Sequence, residues 1–122
     1  MPEPYGMTLR GDDRVVGTVG CFAVTRDHRT MEIAYALARP LWGQGLVVEA
    51  ARAVLDHVFA SYPVTRLQCR CKVENVASAR VVEKLGLQRE GVLRSALHHR
   101  GCDWDMVYYA ALRPEWQTTS AP

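Results

Sequence analysis

Two short segments of the sequence carry residue types suited to holding a phosphorylated ligand. The first, Trp42-Gly43-Gln44-Gly45-Leu46, is a glycine-containing turn before an apolar-periodic stretch, and the second, Asn75-Val76-Ala77-Ser78, begins a stretch that ends at Gly86. Each pattern predicts a helix N-terminus, where unpaired N–H groups and the positive end of the helix dipole attract anions and polar groups. A ligand with a pyrophosphate and a long polar arm would use both.

The glycine-containing turn does not fit two well-known phosphate-binding loops. A Walker A loop needs Gly-Lys-Ser/Thr, whereas this sequence has Gly45-Leu46-Val47, and a dinucleotide fingerprint needs a third glycine where Val48 stands. Glycines here would let a backbone approach phosphate oxygens closely. The residues leave two alternatives open: a tight structural turn with no ligand, and a Trp42 ring that only fills the edge of the core.

The elements that position these segments follow from hydrophobic periodicity and turn residues. Residues 30–38 alternate like a strand, residues 46–62 have a helical apolar face, and residues 64–73 alternate again. This βαβ order predicts two parallel neighbouring strands, with the glycine turn at the carboxyl end of the first, where open α/β sheets bind ligands. Asn75 is a suitable N-cap for a second helix through residue 85, and Gly86 a suitable C′ residue. Further strands are predicted over residues 4–10, 14–25, 88–98 and 103–112.

The composition is that of one globular domain across residues 1–122, with a mixed α/β order of elements. Its 48% hydrophobic and 23% charged residues exclude a disordered chain. A net charge of +2 is too balanced to indicate nucleic-acid binding. Because the sequence has neither a membrane-length apolar run nor the start of a signal peptide, we expect a cytoplasmic protein with no membrane partner.

The four cysteines and four histidines do not form a metal-binding pattern. No C-x-x-C is present, and the histidines do not stand at ligand spacing around the cysteines. We therefore expect buried, reduced thiols and no metal, with a disulfide or metal site as the alternative. The cysteines are Cys21, Cys69, Cys71 and Cys102.

The segment from Leu37 to Ala50 resembles the acetyl-CoA pyrophosphate loop of the GNAT N-acetyltransferases, most of all the branch that acetylates ribosomal-protein N-termini. The segment from Asn75 to Leu87 is similar to that branch's second motif, an Asn-x-x-Ser helix that ends in Lys-x-Gly and an aromatic or aliphatic residue. The resemblance covers residues 5–116. It implies a mixed, mostly antiparallel central sheet that contains a βαβ unit for acetyl-CoA.

The resemblance implies transfer of an acetyl group from acetyl-CoA to a primary amine. This reaction needs a neutral amine, a polarised thioester carbonyl and a proton for the leaving thiolate. By position, the backbone of Ala36 and Leu37 would hold the pantetheine arm and polarise the carbonyl, and Asn75 would contact the same arm. The pyrophosphate would lie on the amides of residues 42–47, assisted by the dipole of the helix that follows. These residues are Trp42, Gly43, Gln44, Gly45, Leu46 and Val47.

Two side chains are the main candidates for proton transfer. Ser78 lies near the expected position of the sulfur and is the predicted general acid; a serine that only bonds its own helix backbone is the alternative. Glu32, on the strand before the loop, is the predicted base that takes the amine proton through water. A solvated or salt-bridged glutamate is its alternative. His98 and Asp105 are secondary candidates.

The sequence departs from the family pattern in two places. Val47 stands where members usually have glycine or alanine, and few residues precede Val15, where complete members have a strand and two helices that form a wall of the acceptor groove. We therefore expect a second copy or another partner to cover this side. Three functions stay open: acetylation of a peptide N-terminus, acetylation of a small amine or antibiotic, and acetyl-CoA binding or protein interaction without efficient transfer.

Overall fold

The computed structural model describes residues 5–8, 11, 14–38, 41, 43 and 45–120. Within these residues, the strands are Tyr5–Thr8 (β1), Val15–Ala23 (β2), Thr30–Leu37 (β3), Arg66–Lys72 (β4), Gln88–His99 (β5) and Cys102–Leu112 (β6). The helices are Leu46–Ser61 (α1), Val76–Lys84 (α2) and Arg113–Ser120 (α3). The predicted order of strands and helices is confirmed, and α3 is an additional helix that the sequence analysis missed.

The six strands form one sheet in the order β1-β2-β3-β4-β6-β5. Neighbouring strands pair antiparallel, except for β3 and β4, which are parallel and are connected by α1. The predicted βαβ unit is therefore confirmed, and the first two predicted strands pair as a hairpin. The sheet is mixed and mostly antiparallel, as expected.

The helices pack on one face of the sheet, which we call the helical face. Alternate residues of the central strands point toward it and form a single buried cluster with residues from all three helices. The opposite face carries a row of polar side chains, and we call it the polar face; Glu32, Gln68, Arg70 and Tyr108 lie on it. The strand members of the cluster include Val19, Cys21, Met31, Ile33, Leu67, Cys69 and Val107, and the helix members include Leu55, Val58, Val82 and Trp116.

Helix α1 lacks a basic residue in its last turn, and Arg113 of α3 supplies the missing positive charge. Its guanidinium donates three hydrogen bonds to backbone oxygens of Phe59, Tyr62 and Val64, at 2.9, 2.8 and 2.8 Å. Trp116 stacks on Phe59 with 5.6 Å between ring centroids. These contacts fix α3 on the end of α1 that lies away from the glycine turn.

Two predictions, one of a strand boundary and one of burial, are wrong. The alternating segment predicted over residues 64–73 ends earlier than expected, because the strand ends at Lys72 and the Val73 side chain is 43% exposed. Cys102 is exposed at the start of β6, whereas the other three cysteines are buried. All four thiols are free. No helix in the described part of the chain has both the length and the apolar character needed to cross a membrane.

Candidate active site

The parallel strands β3 and β4 pair over a short distance and then diverge. Their register consists of three residue pairs, from Thr30 with Arg66 to Glu32 with Gln68. Beyond this point β3 continues to Leu37 and β4 to Lys72, each paired with its other neighbour. We call the space between the two diverging strands the β3–β4 gap; it lies between residues 33–37 of β3 and residues 69–72 of β4. It opens toward the carboxyl ends of both strands, as expected for a ligand site in such a sheet.

The backbone of β3 presents alternate residues to the gap. The hydrogen bonds from Val24 N to Thr30 O (2.8 Å) and from Ala38 N to Val16 O (2.8 Å) show that even-numbered residues of β3 bond to β2. In an antiparallel pair the alternate residues turn their N–H and C=O groups to the other side. The backbone groups of Tyr35 and Leu37 therefore point toward the gap, whereas those of Ala36 point toward β2. Of the two predicted backbone contacts, Leu37 has the direction that a ligand in the gap requires.

The start of α1 has the conformation and the open space that a phosphate group needs. Gly43 and Gly45 have positive φ angles of 80° and 74°, and an added Cβ at either would meet nothing within 4 Å. Gly45 is the N-cap and makes no side-chain cap, and the first helical hydrogen bond runs from Glu49 N to Gly45 O at 3.0 Å. The N–H groups of residues 46–48 thus lack acceptors within the helix. Val47 points its side chain into the core and leaves this end uncrowded. Trp42 and Gln44 lie outside the described residues.

Helix α2 brings the second predicted segment to the helical face of the gap. The Asn75 side chain caps the helix by accepting a hydrogen bond from Ser78 N (3.1 Å), as its position predicts. The Ser78 hydroxyl lies 2.6 Å from the Tyr35 hydroxyl, and Tyr35 also donates to Ser78 O at 3.2 Å. Ser78 thus bonds to a side chain of β3 as well as to its own helix.

Burial keeps the groups around Ser78 in their protonated forms. It raises the pKa of Tyr35 well above its ordinary value, although the bond with Ser78 lowers it in part. Burial also raises the pKa of the Cys71 thiol, and a hydrogen bond with Ser78 offsets part of that rise. At neutral pH this cluster therefore holds protons and can give them, and it does not supply a base.

Glu32 is buried on the polar face and both of its carboxylate oxygens have partners. Gln68 Nε2 donates to Oε1 at 2.8 Å, and Arg70 Nε donates to Oε2 at 3.0 Å. The Glu32 side chain is 8% exposed and that of Arg70 is 34% exposed. The Tyr108 hydroxyl lies beside the same guanidinium. Glu32 has the salt bridge that the alternative interpretation of the sequence anticipated, and its role as a base stays a prediction.

The structure places the two candidate catalytic side chains on opposite faces of the sheet. Ser78 contacts Tyr35, whose side chain is on the helical face, while Glu32 is three residues earlier in β3 and points to the polar face. Both border the gap. A ligand bound on the helical face and a second molecule that approaches across the polar face could therefore meet between the two strands.

The secondary candidates form part of the β5–β6 hairpin. His98 Nδ1 pairs with Asp103 Oδ1 at 2.8 Å on the exposed surface, and Asp105 accepts a hydrogen bond from Ser95 N at 2.8 Å. Both side chains therefore have hydrogen-bond partners within the hairpin, which explains their presence without a catalytic role. Across the described residues, no three His, Cys, Asp or Glu side chains are grouped so that they could hold a metal ion.

The sheet divides between the parallel strands β3 and β4, and the N-termini of α1 and α2 lie beside the division, an arrangement that suits a phosphorylated ligand. The comparisons with known proteins agree with the family resemblance of the motifs. The chain belongs to the family of GNAT acetyltransferase domains, whose model matches residues 2–88.

Individual relatives carry the same family name. The chain is 32% identical to the uncharacterized N-acetyltransferase YnaD of Bacillus subtilis over 93% of this chain and 66% of YnaD. It is 29% identical to the ribosomal-protein-serine acetyltransferase of Escherichia coli over 83% of this chain and 56% of that protein. The structure of Mycobacterium smegmatis RimJ in complex with CoA-disulfide superimposes with a TM-score of 0.84 at 28% identity, over 93% of this chain and 54% of RimJ. The chain thus spans between about half and two thirds of the length of these relatives.

Three residues of the site were missed by the sequence analysis. Tyr35 lies on the helical face of β3, and Gln68 and Arg70 lie on the polar face of β4. Each becomes part of the site through a partner at least 36 positions away in the chain. Periodicity assigned each side chain to a face, but only the β3–β4 register could show which of them meet.

Proposed function

We propose that this protein transfers the acetyl group of acetyl-CoA to a primary amine, and that the acceptor is the α-amine of a peptide or protein N-terminus. The observation that carries the proposal is the β3–β4 gap, which has the start of α1 at its open end and the Ser78–Tyr35 hydroxyl pair on its helical side. The residues present fit acetyl-CoA because the α1 start leaves open space and unpaired N–H groups for a pyrophosphate.

Binding would use the backbone more than the side chains. The amides of residues 43–47 would hold the pyrophosphate, with Trp42 and Gln44 as sequence-predicted members of the same loop. The backbone groups of Tyr35 and Leu37 point toward the gap and would hold the pantetheine arm, with Asn75 at its far side. Bound acetyl-CoA supplies an activated acetyl group in the form of a thioester.

The Ser78 hydroxyl is the group that would give a proton to the departing sulfur. Either hydroxyl can donate in the 2.6 Å contact between Tyr35 and Ser78, and when Tyr35 is the donor the hydroxyl hydrogen of Ser78 is left for another acceptor. The raised pKa of Tyr35 keeps that donor protonated throughout the neutral range. A positioned proton donor of this kind is typically worth ~10²–10⁴ in rate.

The acceptor would approach across the polar face, opposite the helices. A relative at 29% identity carries the name ribosomal-protein-serine acetyltransferase, which supports a peptide acceptor. A small amine is the alternative acceptor. We place the activity in the cytoplasm, and a second copy or another partner that covers the N-terminal side of the domain belongs to the same proposal.

Titration calorimetry with coenzyme A, followed by a free-thiol assay with acetyl-CoA, tests the proposal. We expect saturable binding of coenzyme A and thiol release that depends on the added amine. Peptides with free N-termini should be faster acceptors than their N-acetylated counterparts and than small polyamines. Binding without amine-dependent thiol release would instead indicate an acetyl-CoA-binding module. Absence of binding would contradict both interpretations.

A further inference from the structure

The polar network of Glu32, Gln68 and Arg70 stands at the vertex of the β3–β4 gap. Glu32 and Gln68 are the last paired residues of the parallel register, and their side chains bond to each other at 2.8 Å. Arg70 lies two residues further along β4, where the strands have already separated, and it reaches back to the second Glu32 oxygen at 3.0 Å. The network therefore ties the diverging part of β4 to the last paired residue of β3.

We propose that these three side chains form a clamp that fixes the width of the β3–β4 gap and thereby sets the affinity for the ligand inside it. Glu32 is then a positioning residue. The identity of that ligand, coenzyme A or its acetyl ester, rests on the proposed function. The clamp itself rests on contacts within the protein.

The pairing of β3 and β4 with their other neighbours explains why the clamp would control the width of the gap. The register of β3 with β2 is continuous from residue 31 to residue 37, and that of β4 with β6 is continuous along all of β4. Each strand is therefore straightened by its own antiparallel neighbour, and the divergence begins where the side-chain network sits. Three residue pairs are a short ladder, so the network adds a large part of the contact between the two strands. At 8% exposure the charge pair of Glu32 is weakly screened by water.

The hydrogen bonds of Glu32 also favour a positioning role over a role as general base. A general base must come within hydrogen-bond reach of the proton that it removes. Both Glu32 oxygens already accept hydrogen bonds, one of them from a guanidinium, and the 8% exposure of the side chain leaves little access for an amine. The amine would then need to reach the site in its neutral form, and its proton would leave through water.

A pair of matched glutamine variants tests the clamp. Gln68→Met removes the buried hydrogen bond from the side-chain amide to Glu32, and Gln88→Met removes an amide–carboxylate hydrogen bond of the same length, 2.8 Å, to Glu115 on the exposed surface away from the gap. We expect Gln68→Met to weaken coenzyme A binding about tenfold, which corresponds to ~1.4 kcal/mol, a typical value for one buried hydrogen bond. Gln88→Met should leave the affinity unchanged. Equal affinity in the wild type and both variants would overturn the proposal.

Exchanging the two side chains separates positioning from base catalysis. The double variant Glu32→Gln/Gln68→Glu keeps one carboxylate, one amide and the neighbouring Arg70. The clamp predicts that it binds coenzyme A within about twofold of the wild type, and more tightly than Gln68→Met, because the pair of bonds is restored. If Glu32 is the base, the exchange and Glu32→Gln alone will both lower kcat at unchanged coenzyme A affinity, with a deficit that shrinks as pH rises. That result would overturn the clamp.

A readout without ligand keeps the clamp testable if the proposed function fails. Amide hydrogen exchange of Met31 and Gln68, whose N–H groups lie on the β3–β4 side of their strands, should be faster in Gln68→Met than in the wild type, and unchanged in Gln88→Met. A wild-type protein that does not bind coenzyme A would contradict the proposed function but would leave this prediction in force. Unchanged exchange in Gln68→Met would contradict the clamp whether or not the ligand binds.

Discussion

Replacement of Ser78 by alanine distinguishes a catalytic hydroxyl from a structural one. The change removes the hydroxyl that lies 2.6 Å from Tyr35 but keeps the backbone N–H that Asn75 caps. The helix start is thus preserved, and the expected loss of stability is that of one partly buried hydrogen bond, ~1 kcal/mol. Tyr35→Phe removes the same hydrogen bond and the 3.2 Å bond to Ser78 O, so its cost in stability should be similar or slightly larger.

The expected effect on rate is much larger than the effect on stability. If Ser78 gives the proton to the leaving sulfur, kcat should fall by ~10²–10⁴ in Ser78→Ala, and this factor corresponds to ~2.7–5.4 kcal/mol of transition-state stabilisation. Tyr35→Phe should lower kcat only about tenfold, because Ser78 would keep its proton and lose its orientation. The two variants are therefore similar in stability and differ in rate.

The assay is steady-state release of free thiol from acetyl-CoA with a peptide acceptor, with urea unfolding of each variant alongside. Ser61→Ala is the control, since Ser61 is an exposed serine at the far end of α1 and its hydroxyl lies 3.5 Å from His57 Nδ1. It should match the wild type in rate. A fall in kcat of less than about tenfold in Ser78→Ala, or equal falls in Ser78→Ala and Tyr35→Phe, would refute the assignment of Ser78 as the proton donor.

Four further outcomes concern stability and thiol chemistry. Arg113→Met should lower the free energy of unfolding by about 3 kcal/mol, because three backbone oxygens lose a charged donor. Trp116→Ala should lower it by about 3–5 kcal/mol, because the substitution leaves a cavity. Urea unfolding measures both changes, and a loss under ~1 kcal/mol for either variant would contradict the described role of α3. Iodoacetamide at pH 8 should modify Cys102 first, because burial raises the pKa of Cys21 and of Cys69 to about 12; peptide mass spectrometry that finds either buried thiol modified first would be inconsistent with this. The pKa of each of these two thiols in the folded protein is higher than the ordinary 9.0. The stability that they contribute is therefore complete below about pH 9 and decreases as pH rises toward 12. The urea midpoint should be lower at about pH 10.5 than at about pH 8.

Most of the fold could be predicted from the sequence because its signals are local. Alternation identified the strands, the apolar face identified α1, and Asn75 with Gly86 marked the two ends of α2. The βαβ order then required β3 and β4 to be parallel neighbours. Helix α3 was missed because its stability comes from contacts of Arg113 and Trp116 with α1, which lie about fifty to sixty positions earlier in the chain.

The site could be predicted only in part, for the same reason. The motifs identified the two helix starts and Ser78, whose position depends on local capping. The partners of Ser78 and Glu32 could not be predicted, because a contact across the gap depends on where the parallel register ends. Alternation placed Glu32 on the correct face but gave no sign that Gln68 and Arg70 would enclose it there.

The short β3–β4 ladder also joins two parts of the chain that are synthesised one after the other. The half-sheet β1-β2-β3 comes entirely from residues before α1, and the half-sheet β4-β6-β5 comes entirely from residues after it. Most strand pairings therefore close short loops within one half, whereas the three parallel pairs close a loop that contains the whole of α1. Loop-closure entropy makes such a junction late to form. The ligand gap is thus the place where two sequentially made halves of the protein meet, and a ligand that contacts both strands would hold those halves together.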